Sequence, residues 1–176
     1  LFGGSLVIED CVILNFPTPA AGAVNTGLIR VDDGDFRVTR TDFDSNGRPG
    51  IRLSPDSNLD RVVDAVIEDC SFSGDDFGSI SVAGGGRVVD LTIQRCRFIS
   101  SNPGNVHPAI RLADTTGVAI SECRFENYNF SNGSGAVSLV RVGASNSRPS
   151  TIERCEFLAN RNGQTSNASR GGAVWM

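Results

Sequence analysis

The motif Ile-x-x-Cys-x-Phe recurs along the whole chain, and a recurring unit restricts the possible folds more than any other feature here. It reads Ile8-Glu9-Asp10-Cys11-Val12-Ile13, Val38-Thr39-Arg40-Thr41-Asp42-Phe43 and Ile67-Glu68-Asp69-Cys70-Ser71-Phe72. It returns as Ile93-Gln94-Arg95-Cys96-Arg97-Phe98, Ile120-Ser121-Glu122-Cys123-Arg124-Phe125 and Ile152-Glu153-Arg154-Cys155-Glu156-Phe157. Successive central residues are 30, 29, 26, 27 and 32 positions apart. A unit repeated at a nearly constant period cannot bury its apolar face alone, so it stacks on its neighbours as a solenoid.

Each repeat also carries a second apolar pair with one residue between its members. The pairs are Ile29/Val31, Ile51/Leu53, Ile80/Val82, Ile110/Leu112, Val137/Leu139 and Val174/Met176. That spacing is the period of a strand with one buried face. The linkers, such as Ser100-Ser101-Asn102-Pro103-Gly104-Asn105, are built of residues that favour turns and oppose helix. No period of six supports a left-handed hexapeptide helix, and no Leu-rich ridge supports a leucine-rich repeat. The expected fold is all-β: a right-handed single-stranded parallel β-helix of about six coils, with inward Cys and Phe ladders. At ~4.8 Å per coil it would stand about 29 Å tall.

Charge supports this alignment. The residue before each central Cys or Thr is Asp10, Arg40, Asp69, Arg95, Glu122 and Arg154 in turn, alternating in sign through every coil. In a parallel stack each would neighbour two opposite charges, which penalises a slip of one coil.

The five cysteines share one phase of the repeat, whereas a disulfide framework would scatter them so that they could pair. Stacked Cβ atoms would be parallel and ~4.8 Å apart, outside the 3.5–4.5 Å of a disulfide. They read as buried free thiols that fill the core. With no His partners and no short Cys spacing, neither a metal site nor a cofactor is expected.

The sequence holds 176 residues with a net charge of −4 and a pI near 4.9. That balance argues against a general nucleic-acid partner. No run reaches the ~18 apolar residues of a membrane span, so no membrane insertion is expected. Leu1 is not an initiator Met, and Met176 falls within an apparent strand. The expectation is a single β-helix domain over 1–176, part of a longer protein with both ends uncapped. End-to-end or lateral self-association through those coils is a corollary.

Candidate functional residues lie on the outside. The position between the members of each second pair holds Arg30, Arg52, Ser81, Arg111, Ser138 and Trp175. Arg30 above Arg52 brings like charges together, which suits an anionic ligand laid across them. Arg30, Arg52, Arg111 and Trp175 are therefore candidate substrate-binding residues, with Trp175 able to stack on a sugar ring. Asp75 and Asp76 enter one of these strands as adjacent carboxylates, which glycoside hydrolysis can use as acid and base. His107 enters the equivalent strand one coil later. Asp75, Asp76 and His107 are the candidate catalytic set.

These coils resemble the right-handed parallel β-helix repeats of the pectin-lyase-like superfamily over essentially the whole chain. Phe157-Leu158-Ala159-Asn160 and Gly171-Gly172-Ala173-Val174 are similar to the repeats of polymorphic outer-membrane adhesins. Gly74-Asp75-Asp76 resembles one motif of polygalacturonase-type hydrolases, with His107 in the following coil where another motif would fall. The Asn-Thr-Asp and Arg-Ile-Lys motifs of that group have no counterpart. The resemblance implies a secreted or cell-surface module presenting a long wall, with a polysaccharide or glycan surface as its partner. A hydrolase or lyase acting on an acidic polysaccharide is the alternative. A structural stalk, adhesin or filament subunit is a third reading.

Overall fold

The computed structural model describes residues 4–14, 27–44, 49–54, 61–74, 78–82, 87–101, 107–130, 136–143, 148–162 and 173–175. Every strand pairing among them is parallel, and no helix occurs. The chain winds through three faces, each six strands deep. The first face stacks Ser5–Glu9, Gly34–Thr39, Arg61–Glu68, Thr92–Gln94, Ala119–Ser121 and Thr151–Glu153. The second stacks Val12–Leu14, Asp42–Asp44, Ser71–Ser73, Arg97–Ile99, Arg124–Glu126 and Glu156–Leu158. The third stacks Ile29–Val31, Ile51–Leu53, Ile80–Val82, Ile110–Ala113, Val137–Val140 and Val174–Trp175. Both apolar strands of each repeat are thus observed.

The interior follows from alternation. Ile67, Ile93 and Ile120 from the first face and Phe43, Phe72, Phe98 and Phe125 from the second are fully buried. From the third face come Ile51, Leu53, Ile80, Ile110, Leu112 and Val137. The Phe rings stack at 4.7, 5.0, 4.9 and 4.9 Å from Phe43 to Phe157, within 10° of parallel. That spacing is the coil repeat. Complete enclosure belongs to the four interior coils, while Ile13 and Phe157 in the outer ones are only partly buried.

A single residue turns the chain from the first face to the second, and it lies in the left-handed region in all six coils. These residues are Asp10, Arg40, Asp69, Arg95, Glu122 and Arg154, with φ between 46° and 55°. Such a conformation is unusual for a residue with a Cβ. The side chain that follows braces it. The Cys70 thiol donates to Glu68 O at 3.2 Å, Cys96 to Gln94 O at 3.2 Å and Cys123 to Ser121 O at 3.2 Å. Cys11 and Cys155 make the same bond at 3.1 and 3.4 Å. In the one coil without Cys, the buried Thr41 hydroxyl donates to Thr39 O at 3.0 Å. The position therefore selects a small side chain carrying a donor, which explains why Thr replaces Cys there. Thr115 repeats the device beyond the left-handed Asp114, donating to Ala113 O at 3.1 Å.

The alternating charges bond two by two along this corner. Arg40 binds Asp10 through two contacts of 2.6 and 2.8 Å, and Arg95 binds Asp69 at 2.7 and 2.9 Å. Arg154 binds Glu122 at 2.8 Å. Between these couples only a through-space attraction acts, as from Arg40 on Asp69. A planar guanidinium that grips one carboxylate with two nitrogens points away from the next, so the two-sided pairing expected of each charge becomes one-sided.

A bend in the first face has its own cause. Opposite Phe36 the next coil inserts Asp64 and Ala65, breaking the register between Asp35 and Arg37. Asp90 and Leu91, then Gly117 and Val118, continue the insertion, with Asp64, Asp90 and Gly117 all at positive φ. The extra residue becomes a minor corner, setting off Arg87–Val89 and Thr115–Thr116.

Two outcomes follow. Thr41→Val keeps shape but removes the donor, and should lower stability by about 1 kcal/mol, whereas Thr41→Cys should leave it nearly unchanged; urea unfolding of both variants measures the difference. The guanidinium partners hold the Asp10 and Asp69 carboxyls below the usual range. Groups depressed in this way stabilise the fold above the ordinary carboxylate pKa of about 3.9 and lose that contribution as pH falls through the folded-state value. Acid unfolding followed by circular dichroism should therefore begin at higher pH in Arg40→Gln than in the parent chain.

Candidate functional site

The third face places the outward residues in one file. Register pairs Arg30 with Arg52, Arg52 with Ser81, Ser81 with Arg111, Arg111 with Ser138 and Ser138 with Trp175. The side chain of Trp175 lies outside the described residues, so only its backbone position is established. Arg30 and Arg111 are exposed, Arg52 and Ser81 are half-buried, and Ser138 is buried. The Arg30–Arg52 repulsion is eased locally, because Arg30 Nε donates to Asp32 Oδ1 at 2.7 Å. Arg111 has no acidic partner among the described residues. Ser81 Oγ, in the coil between Arg52 and Arg111, is buried with no hydrogen-bond partner among the described residues.

His107 stands at the entrance to the strand that carries Arg111. It is half-buried. Burial, and secondarily the positive charge of Arg111, lower its pKa below the usual histidine value. One coil away Gly78 adopts φ of 84°, and a Cβ there would come within 2.4 Å of Pro108 O. Only glycine allows the two strand entries to pack this closely. Asp75 and Asp76 lie outside the described residues, so of the catalytic set only His107 has a described place. The structure brings His107 and Arg111 together; Arg30 and Arg52 stand further along the same file.

Two features here escape a reading by period. Arg141 binds Asp114 through contacts of 2.6 and 2.7 Å, both residues being left-handed at the exit of the third face. The signal is faint but present: an acid and a base follow equivalent strands, Ile110–Ala113 and Val137–Val140. Arg148 reaches across two coils to Gly117 O at 2.8 Å and Thr92 Oγ1 at 3.0 Å, with Asp90 at 3.5 Å. No repeat spacing points to that contact.

A cavity of about 740 Å³ opens beside the last described coils. Val118, Leu139, Val142, Ile152 and Val174 line it together with Arg141, Ser150 and Thr151. It extends the apolar interior, and none of the described residues that line it is a candidate residue.

The parallel three-faced winding is matched by a family model described as a right handed beta helix region, over residues 26–173. The chain belongs to the right-handed β-helix family. No curated protein and no solved structure matches it. Membership agrees with the resemblance to pectin-lyase-like coils and gives the winding its hand. A β-helix can carry many activities or none, so function must be argued from the wall itself.

His107 is the single histidine of this β-helix, which makes its titration easy to observe. A lowered folded pKa means that the unfolded chain takes up the proton first, near pH 6.5, so stability should fall as pH drops through that value. Proton NMR of the imidazole should show a midpoint below 6.5. In Arg111→Ala the midpoint should rise only part of the way, because burial is the larger cause.

Proposed function

We propose that this β-helix presents its third face as a binding wall for an acidic polysaccharide, outside the cell or at its surface. The observation that supports this reading is the single registered file of Arg30, Arg52 and Arg111, with Arg111 free of acidic partners among the described residues. Guanidinium groups suit carboxylate and sulfate groups because their planar donors match paired oxygens. The coil repeat of 4.7–5.0 Å is comparable to one sugar in an extended chain, so successive units could meet successive coils. Ser81 and Ser138, small and set back from the surface, interrupt the basic file without obstructing it. A wall of this kind needs no catalytic group.

Binding should be seen by isothermal titration with polygalacturonate and be absent with neutral dextran. Arg111→Ala should weaken it about tenfold, equivalent to about 1.4 kcal/mol, and added salt should weaken it further by screening. Equal affinity for the neutral polymer, or no loss in Arg111→Ala, would remove the proposal. New reducing ends or unsaturated products in the same assay would instead point to the hydrolase or lyase reading through Asp75, Asp76 and His107.

A further inference from the structure

The thiols form the one concentrated set of soft ligands among the described residues. Cys70, Cys96 and Cys123 are buried and Cys155 is partly exposed. Flanking registers pair Ile67, Ile93, Ile120 and Ile152 in succession, and likewise Phe72, Phe98, Phe125 and Phe157. The four cysteines between them are therefore one coil apart each, a spacing the adjoining rings put at 4.9–5.0 Å. Besides the carbonyl of its own coil, the Cys96 thiol reaches Ile67 O at 3.5 Å and the Cys123 thiol reaches Ile93 O at 3.6 Å, each carbonyl belonging to the coil before. The neighbouring Cys123 and Cys70 thiols, together with burial, keep Cys96 protonated well above the ordinary thiol range.

We propose that this thiol column is a site for soft divalent ions that take two collinear thiolates, the mercuric ion being the type. A metal–thiolate bond of about 2.3 Å, doubled, spans about 4.6 Å, nearly the distance between adjacent coils. The Cα–Cβ bonds of inward residues run across the solenoid axis, whereas the metal–sulfur bonds would run along it. A rotamer that keeps the Cβ–Sγ bond across the axis as well would give an angle at sulfur close to a right angle, as its lone pairs favour. Two thiols release two protons, and a divalent ion then forms two bonds, giving a neutral RS–M–SR unit that an apolar core can hold. A monovalent silver or cuprous ion would leave one net negative charge buried, which is strongly disfavoured. Zinc is excluded by ligand number. It asks for four ligands, and no group of three or more His, Cys, Asp or Glu among the described residues could hold a metal.

The stacking order makes capacity countable. Cys70 with Cys96 and Cys123 with Cys155 give two pairs, while Thr41 separates Cys11 from any thiol neighbour. The whole chain would be loaded with mercuric chloride, passed through a desalting column containing a small excess of a monothiol, and analysed for bound ion. The expected retention is two ions per chain, with two protons released for each and two sulfur neighbours near 2.3 Å by X-ray absorption. Cys96→Thr, which keeps the hydrogen-bonding role Thr41 performs, should retain one ion. Thr41→Cys should retain three, by supplying Cys11 with a partner. Silver should be stripped under the same conditions. Retention of no ion by the folded parent chain would overturn the site. So would an unchanged count in Thr41→Cys with native circular dichroism, or silver held as firmly as mercury.

Discussion

The corner between the first and second faces is the constraint on which the rest of the molecule depends. One left-handed residue per coil reverses the chain within a single position, and a residue with a Cβ held there carries a cost of order 1 kcal/mol or more. The following Cys or Thr offsets that cost by bonding the carbonyl that precedes the bend. In pairs of coils, a charge couple then ties one bend to the next. Because the bend occupies one residue, Ile before it and Phe after it keep a fixed offset. Every coil consequently delivers one apolar side chain to each of the same two interior columns.

That fixed offset is what permits the Phe stack. Rings within 10° of parallel and about 5 Å apart require each backbone to meet its neighbour in register, since a slip of one residue would turn the rings outward. The burial of Phe43, Phe72, Phe98 and Phe125 is the larger energetic term, and the corner bonds decide which register collects it. Corner chemistry and core burial thus divide specificity and stability between them. Exposed ion pairs contribute little energy singly. Their pairwise arrangement at Asp10–Arg40, Asp69–Arg95 and Glu122–Arg154 still distinguishes one stacking order from another.

Much of this is legible in the sequence because a solenoid repeats one physical environment many times. Six occurrences of an apolar spacing reveal both strands of the coil, the inward columns and the outward file from Arg30 to Trp175. Left-handed geometry is harder to read, since Asp, Arg and Glu give no sign of positive φ as glycine would. The bracing role of Cys is hidden too, because a thiol bonded to its own backbone has the same apolar spacing as a thiol that merely fills space. Thr41 is the clue. A core that wanted only volume could have used Val, whose shape matches Thr, and a hydroxyl at that place implies a donor with a duty. Contacts made once, such as Arg148 across two coils and the Asp114–Arg141 couple, have no repetition to reveal them. Asp75 and Asp76 were identified by their chemistry rather than by repetition, and they fall outside the described residues.

The same repetition separates what the interior can do from what the wall can do. Inside, each coil must accept nearly the same side chain, so Cys, Phe and Ile recur and substitution is narrow. Outside on the third face the packing is looser, with Arg30 and Arg111 exposed, and the file changes from Arg to Ser to Arg. Variation at a position whose backbone is held to the coil repeat gives a set of groups at regular intervals with individually chosen chemistry. A linear polymer with its own regular spacing is the kind of ligand that such a surface can match over several coils. Each added match gains affinity without a new fold being required, because the corner has already fixed where the next group will stand.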